Sequence, residues 1–407
     1  MTFLCSRLRV SLVVAVLWHS LVMAFQSGPQ YPSSEALTDP VASLQKRLER
    51  HEIELKYEPK HGYLRSVLSQ LGIPATSQAL VFSKTSLQSE LISPSTPRAL
   101  YFNDDVYVGW IQNAPMLEVA SVDPQYGTIF YVLDQKENLS PEFKRLGQPC
   151  ISCHAPARDD VPSPLLLMMS VGTAASGEAI GEFQLVTDRT PLAERWGGWY
   201  VSFSQPGAAH RGNKVIGGGS ERLLGDPSNG TRAFDPSLYL ENTSDVVALM
   251  LLSHQVDVHN RISEASHQTR NLASDTPPSQ IEAAVEPLVR ALLFSEAAPV
   301  SDSVRGGTEF AKEFTAKGRK DRRGRSLKEL DLNRRLLRYP LSYLVHSESF
   351  DHMPAIAREY VYRRLWEVFS GKDRSEQFAH LGNQDRSVLL EILSETKPEF
   401  QTWVRKK

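Results

Sequence analysis

Two cysteines and a histidine stand close together near the middle of the chain, between Gly147 and Ala157. Cys150, Cys153 and His154 have the spacing C-x-x-C-H, which is typical of covalent haem c attachment. Cysteines three positions apart can place their sulfurs along the two vinyl edges of one porphyrin, and the next residue can reach the iron with its imidazole. The sequence therefore predicts one covalently attached haem c, with His154 as the proximal iron ligand.

Three other kinds of site use a pair of cysteines, and each fits this segment less well. A thioredoxin-like dithiol should follow a strand and open a helix in a βαβ unit, which the proline-rich sequence after His154 does not indicate. A zinc site would need at least one more ligand with suitable spacing. A structural disulfide between Cys150 and Cys153 would leave His154 without a role.

The first 24 residues have the layout of a secretory signal peptide. Arg7 and Arg9 precede an apolar run over 10–22, and Ala24 ends a small-residue cleavage site. The run is short for a membrane span, so we expect cleavage, with no stable span left in the mature protein. The chain would then be periplasmic or otherwise exported. Cys5 would leave with the leader, so both remaining thiols belong to the motif.

Composition sets wide limits on the rest of the chain. The protein has 407 residues, of which 41% are hydrophobic and 23% charged, and its formal net charge is −2. These values are ordinary for a globular protein of one large or two modest domains. A chain with no excess of positive charge gives no reason to expect nucleic-acid binding.

The second axial ligand of the iron has three candidates. His254 is the preferred one, because it shares the apolar stripe of a predicted helix, where burial without a partner would be costly. A hydrogen bond to a backbone carbonyl would satisfy the same ring, so a core histidine stays open as an interpretation. His210, in a glycine-rich polar stretch, and Met353, which precedes a proline, are weaker candidates.

Hydrophobic periodicity predicts an α+β protein that differs from a compact all-α cytochrome. Residues 25–78 form a flexible lead-in with short helices, 79–215 a β-rich region that carries the motif, and 243–407 a mainly helical region packed on it. The predicted helices are Val41–Tyr57, Tyr63–Leu71, Val246–Arg270, Gln280–Ser295, Leu327–Arg338, Ile356–Phe369 and Arg386–Leu393. The predicted strands are Leu80–Phe82, Val106–Ile111, Leu117–Ala120, Thr128–Leu133, Gly181–Thr187 and Trp199–Phe203, with a hairpin turn at Asp123–Gly127.

A basic run from Lys317 to Arg325 carries six positive residues in nine positions. Such a run is usually a solvated loop, and its two glycines favour a mobile one. As a functional hypothesis it would be a docking surface for an acidic redox partner or a clamp on haem propionates. The aromatic segment Trp196–Tyr200 is open to two interpretations as well, as porphyrin walls or as ordinary core.

Several segments around the motif are similar to those of exported bacterial single-haem proteins described as cytochrome c domain-containing. They are Cys150–His154, Leu80–Ser86, Ala99–Gly109, Glu194–Tyr200 and Arg338–Tyr343, so the resemblance spans most of the mature chain. The resemblance implies haem binding through Cys150, Cys153 and His154, with electron transfer as the activity. The competing classes are a haem enzyme with an open sixth position, acting on a small oxidant or substrate, and a non-haem interaction module.

Overall fold

A six-stranded antiparallel sheet in the strand order β1 to β6 organises the N-terminal half of the protein. The structure, a computed structural model, describes residues 36–137, 140–147, 150, 153–154, 164–202, 209–225, 233–273, 275–300, 304 and 308–406. Residues 37–407 form one compact unit. The protein is α+β, as predicted, with this sheet region followed by a mostly helical half.

Ten strands lie in the described residues. They are β1 (Ala79–Val81), β2 (Arg98–Phe102), β3 (Val106–Trp110), β4 (Met116–Asp123), β5 (Gly127–Asp134), β6 (Phe143–Leu146), β7 (Met169–Thr173), β8 (Ala179–Leu185), β9 (Lys214–Gly217) and β10 (Ser220–Leu223). Strands β7 and β8 pair as a separate hairpin, and so do β9 and β10.

Nine α-helices lie in the same residues. They are α1 (Pro40–Glu49), α2 (Leu64–Leu71), α3 (Val246–Arg270), α4 (Pro278–Leu292), α5 (Glu309–Ala316), α6 (Glu348–Asp351), α7 (Ala355–Phe369), α8 (Asn383–Thr396) and α9 (Pro398–Val404). No helix among the described residues combines the length and the apolar character that crossing a bilayer requires.

The sheet is buried on both faces, which explains why β3 is buried at all five of its residues. On one face, the Tyr131 hydroxyl donates a 2.7 Å hydrogen bond to Asp39, the N-cap of α1. On the other face, Gln255 of α3 bonds through its amide to the hydroxyl of Tyr107 at 2.7 Å. Because side chains alternate along a strand, Phe130 lies on the α3 side with Tyr107.

Helix α3 is the central element of the core and has the predicted bounds. Asp245 caps it by accepting a 2.9 Å hydrogen bond from the amide of Ala248. All of its residues from Val246 to Val256 are buried, so the helix has no solvent face over its first three turns. The remaining helices of the C-terminal half pack in the same hydrophobic cluster.

Three predicted elements differ from the structure, each for a local reason. The first helix ends at Glu49 instead of Tyr57, because His51 takes a left-handed φ of 55° and the amides of His51 and Glu52 bond back to the carbonyls of Leu48 and Arg47. The segment 199–203 forms no strand in its described part, where Trp199 and Ser202 each make an isolated bridge.

The predicted helix Leu327–Arg338 is a hairpin-like turn. Leu330 and Leu337 face each other in an antiparallel bridge, and Leu332 at the tip has a φ of 60°. The carboxylate of Asp331 accepts a 3.2 Å hydrogen bond from the amide of Asn333. This side-chain acceptor takes the place of the backbone carbonyl that would accept from the same amide in a helix. The apolar residues of this segment, whose spacing predicted a helix, therefore lie in a turn.

The basic run Lys317–Arg325 contains a turn that hydrogen bonds and ion pairs to carboxylates hold in place. The Asp321 carboxylate accepts hydrogen bonds from the amides of Arg323 and Arg325 at 2.9 and 2.8 Å. The guanidinium groups of Arg323 and Arg325 both reach Glu391 of α8, at 2.9 and 2.8 Å. Internal carboxylates thus neutralise part of the run and fix its shape.

Candidate functional site

The C-x-x-C-H motif follows β6, the last strand of the sheet, by four residues. Of its five residues, Cys150, Cys153 and His154 lie in the described part of the chain, and all three have helical backbone conformation. Residues three apart on a helical turn project to the same side, so the two sulfurs share a face. Cys150 is partly buried against the main core and Cys153 is exposed, and no disulfide joins them.

Within the described residues, the His154 ring makes one hydrogen bond and one aromatic contact. Its Nδ1 lies 2.7 Å from the carbonyl oxygen of Leu165, and its centroid lies 4.6 Å from that of the Phe130 ring. A carbonyl oxygen can only accept, so Nδ1 carries the hydrogen and Nε2 carries the lone pair. Metal-bound histidines generally have this arrangement, in which the second nitrogen donates to a carbonyl or carboxylate.

Burial is the main cause of a lowered pKa at His154. The Leu165 carbonyl and the Glu118 carboxylate act in the opposite direction, and the Arg98 guanidinium reinforces the lowering. The imidazole is therefore neutral at pH 7, which is the protonation state that a metal ligand requires.

A largely buried ion pair lies on the sheet next to the motif. Arg98 of β2 and Glu118 of β4 approach to 2.7 Å, and their side chains are 17% and 14% exposed. The pair crosses β3 at Gly109, where a Cβ would stand only 2.4 Å from the Arg98 guanidinium. Glu118 also accepts hydrogen bonds from Ser86 and Gln88, at 2.7 and 3.1 Å. Glycine at position 109 thus allows the arginine side chain to lie across the middle strand.

The charges of this ion pair shift the pKa values of Cys150 and His154. The pKa of the Cys150 thiol is raised to about 11, mainly by burial and also by the charge of Glu118, whereas Arg98 opposes the increase. The same two side chains act on the pKa of His154. Cys150 is consequently a protonated thiol at neutral pH and does not have the low pKa of a catalytic thiolate.

His254, the preferred second ligand, has other partners. Its Nδ1 lies 2.5 Å from an Asp188 carboxylate oxygen and its Nε2 lies 2.8 Å from the Ser342 hydroxyl. The ring stacks on Phe294, with centroids 4.4 Å apart and planes 12° apart. With both nitrogens hydrogen-bonded and the ring fully buried, His254 is a satisfied core histidine in this structure. This geometry fits the alternative interpretation as a core histidine, and the assignment as an iron ligand stays a prediction.

His210 and Met353, the two weaker candidates for the second iron ligand, contact residues outside the C-x-x-C-H motif. His210 is partly exposed and its ring lies 6.2 Å from that of Trp196. Met353 is 1% exposed within the helical core, directly before α7, and its carbonyl accepts a 2.7 Å hydrogen bond from Arg358. The ring and hydrogen-bond contacts of His154 within the described residues are those with Phe130 and Leu165.

The aromatic segment Trp196–Tyr200 belongs to the core. Trp196 is fully buried, and the indole nitrogen of Trp199 donates a 2.7 Å hydrogen bond to the carbonyl of Met169. Of the two interpretations of this segment, porphyrin walls and ordinary core, the observed contacts fit ordinary core packing.

Sequence reasoning missed the residues that surround the motif. Leu165 contacts His154 through its backbone carbonyl, which every residue type has, so the sequence could not indicate this contact. Phe130 looked like any apolar strand residue. The ion pair did have a signal, because Glu118 stands between the apolar residues Leu117 and Val119 of β4, and a charge in a largely buried strand requires a partner.

Comparison of the chain with protein-family models, with curated proteins and with solved structures finds no match. Among the residues that the structure describes, no group of three or more histidine, cysteine, aspartate or glutamate side chains is arranged to hold a metal ion. The interpretation of the site therefore depends on the motif and its immediate contacts.

Proposed function

We propose that the protein is an exported c-type haem protein whose activity is outer-sphere electron transfer. Cys150 and Cys153 would each hold the haem by a thioether, which forms when S–H adds across a vinyl double bond, with the hydrogen going to the vinyl carbon. The Nε2 of His154 would ligate the iron. The haem, when bound, supplies a reversible one-electron change at iron.

The observation that carries this proposal is the hydrogen bond between His154 Nδ1 and the Leu165 carbonyl. It leaves the Nε2 lone pair available for a metal, and burial keeps the ring neutral by lowering its pKa. A solvated histidine beside a structural disulfide would have no need of a fixed tautomer. The two unjoined thiols are in the state that thioether formation requires.

Two further parts of the proposal concern the compartment and the partner. Haem c is attached outside the cytoplasm, which agrees with the secretory layout of residues 1–24. An acidic redox partner docking near Lys317–Arg325 would meet an ordered surface, on which Arg322 and Arg323 are exposed. Preorganised charges of this kind mainly increase the rate of association.

A haem enzyme acting on a small oxidant or substrate is the second candidate. The observation in its favour is that both nitrogens of His254 have protein partners and that Met353 is buried in the helical core, so neither is free to act as the sixth ligand without rearrangement. An iron with five ligands could bind a small molecule directly.

The decisive experiment is expression of the full chain in a host with a cytochrome c maturation system. Covalent haem should be detected by mass spectrometry after denaturation, and replacing Cys150 and Cys153 together by serine should abolish it. The matched control is Cys5→Ser, which leaves the motif intact. Absence of covalent haem from the full chain with both cysteines present would overturn the proposal.

Carbon monoxide distinguishes the carrier from the enzyme. A reduced protein with a low-spin spectrum that does not change under carbon monoxide is expected for the carrier. Rapid binding of carbon monoxide would support the enzyme instead, because it requires an open or easily displaced sixth position.

A further inference from the structure

A second concave site lies away from the C-x-x-C-H motif, in the C-terminal half. It is a cleft of about 990 Å³, between the loop after β8, the chain that follows α4, the turns at 321–326 and 331–338, and the start of α8. This volume is at the upper end of the range for small-molecule sites. Nine charged residues line the cleft: Arg195, Arg323, Arg325, Arg334, Arg335, Arg338, Asp188, Asp331 and Asp385.

Four of the six arginines are neutralised by carboxylates of the protein. Arg323 and Arg325 bond to Glu391 at 2.9 and 2.8 Å. Arg335 bonds to Asp385 at 2.8 Å. The fourth, Arg338, bonds to Glu329 at 2.9 Å. These pairs shape the wall of the cleft but leave little charge for a ligand.

Arg195 is different, because it is a buried cation that makes no ion pair within the described residues. It is 5% exposed, and its guanidinium donates to two peptide carbonyls, those of Thr190 at 2.7 Å and Asp188 at 2.9 Å. The Asp188 carboxylate is engaged by His254 at 2.5 Å. Buried charges in proteins are normally paired, since the desolvation of an unpaired ion is costly.

Arg334 adds a second positive charge that the protein hardly balances. Its side chain is 85% exposed, and its nearest carboxylate is that of Asp331 at 3.8 Å. Both side chains line the same cleft, Arg195 buried and Arg334 exposed, so a ligand with two anionic groups could contact both. Guanidinium groups bind carboxylates and phosphates with well-defined geometry.

We propose that this cleft binds a small oxyanion bearing carboxylate or phosphate groups, with Arg195 as the buried anchor and Arg334 as the rim contact. A bound anion would add counter-charge to Arg195, on which the Asp188 carboxylate already acts electrostatically without forming an ion pair. A protein partner fits less well, because Arg195 is almost completely buried and only a small group can reach it. The proposal does not depend on haem attachment, so the two proposals stand or fall separately.

The test is a titration of the full chain with two probes, inorganic phosphate and succinate, by isothermal calorimetry at constant ionic strength set with sodium chloride. We expect saturable binding of at least one probe at a single site. Arg334→Gln should weaken that binding about 3- to 10-fold, as expected for loss of one exposed charge-assisted contact. Arg195→Gln should weaken it more than about 10-fold. The matched control is Arg50→Gln, an exposed arginine that does not line the cleft.

The two probes also identify the chemistry of the ligand. Saturation by phosphate alone indicates a phosphate compound, and saturation by succinate alone indicates a dicarboxylate. If Arg195→Gln does not fold, Arg195→Lys and Arg334→Gln carry the test. Lack of saturable binding of both probes by the unmodified chain, or binding that neither Arg195→Lys nor Arg334→Gln changes, would show the proposal to be wrong.

Discussion

The Nδ1 nitrogen of His154 lies 2.7 Å from the carbonyl oxygen of Leu165, eleven residues further along the chain. The contact fixes the tautomer of the ring, since a carbonyl cannot donate. It also ties the end of the C-x-x-C-H motif to the segment that leads into β7, because the amide of Leu165 bonds in turn to the carbonyl of His154 at 2.8 Å. The orientation of the candidate ligand is therefore set by the backbone.

This tautomer can be measured without haem. In the apoprotein, the ¹⁵N shifts of His154 should show a protonated Nδ1 and an unprotonated Nε2. Because burial lowers the pKa of His154, the ring should gain its second proton below pH 6.5 in the folded chain, whereas the denatured chain in urea provides the reference value of about 6.5. An Nε2–H tautomer in the folded protein would contradict the ligand assignment.

Replacing Gly109 by alanine should destabilise the sheet beside the motif. The new Cβ would stand 2.4 Å from the guanidinium end of the Arg98 side chain, so this end must shift and its ion pair with Glu118 is disturbed. The overpacking should lower the free energy of unfolding by about 1–3 kcal/mol in urea denaturation. Gly147→Ala is the matched control, because a Cβ at that position meets nothing within 4 Å, and it should change stability by less than about 0.5 kcal/mol. Equal effects of the two substitutions would exclude this role for Gly109.

His259 should make stability depend on pH in mildly acidic solution. The residue is 1% exposed, and its pKa is lowered to about 4, mainly by burial, while the hydrogen bond to the Asp104 carbonyl acts in the opposite direction. Below pH 6.5 the unfolded chain therefore binds a proton that the folded chain does not. The associated stability is complete above pH 6.5 and is lost as the pH falls towards 4.

The size of this effect follows from the two pKa values. Between pH 7 and pH 5, the free energy of unfolding should fall by about 2 kcal/mol more in the unmodified protein than in His259→Gln, whose amide does not titrate. Chemical denaturation at both pH values measures the difference. Parallel pH profiles for the two proteins would mean that His259 is protonated equally in the folded and unfolded states.

Substitution of His254 should affect stability and leave the haem spectrum unchanged. His254→Gln disrupts the buried hydrogen bonds to Asp188 and Ser342, for which we expect a loss of about 2–4 kcal/mol in the free energy of unfolding. The visible spectrum of the haem-loaded protein should not move, because both nitrogens of this ring already have protein partners. The exposed His352→Gln is the control. A change from low spin to high spin in His254→Gln alone would restore His254 as an iron ligand.

Much of the fold could be predicted from periodicity, because burial imposes regular patterns on long elements. Helix α3 has the predicted bounds, since Asp245 is a strong N-cap and the apolar residues continue for three turns. The hairpin at Asp123–Gly127 follows from turn chemistry, with the Asp123 carboxylate accepting from the amides of Gln125 and Tyr126. In both cases the determining contacts are local in sequence.

The elements that could not be predicted are set by contacts distant in sequence. Leu327–Arg338 has apolar residues at suitable intervals, yet the Lys328 ammonium bonds to Asp104, 224 residues away, at 2.6 and 2.7 Å. Similarly, His254 lies on the predicted stripe, but its partners come from positions 188 and 342. The residue type and its apolar surroundings indicate that His254 needs a polar partner, but they do not indicate which residue provides it.

Helix α3 contacts the surroundings of both proposed sites. His254 bonds to Asp188, which lines the cleft of the C-terminal half. The side-chain amide of Asn260 makes two hydrogen bonds to the backbone of Leu166, close to the motif, at 2.8 and 2.9 Å. Six residues separate the two along the helix, an axial rise of about 9 Å. A displacement of helix α3 would therefore move both contacts together.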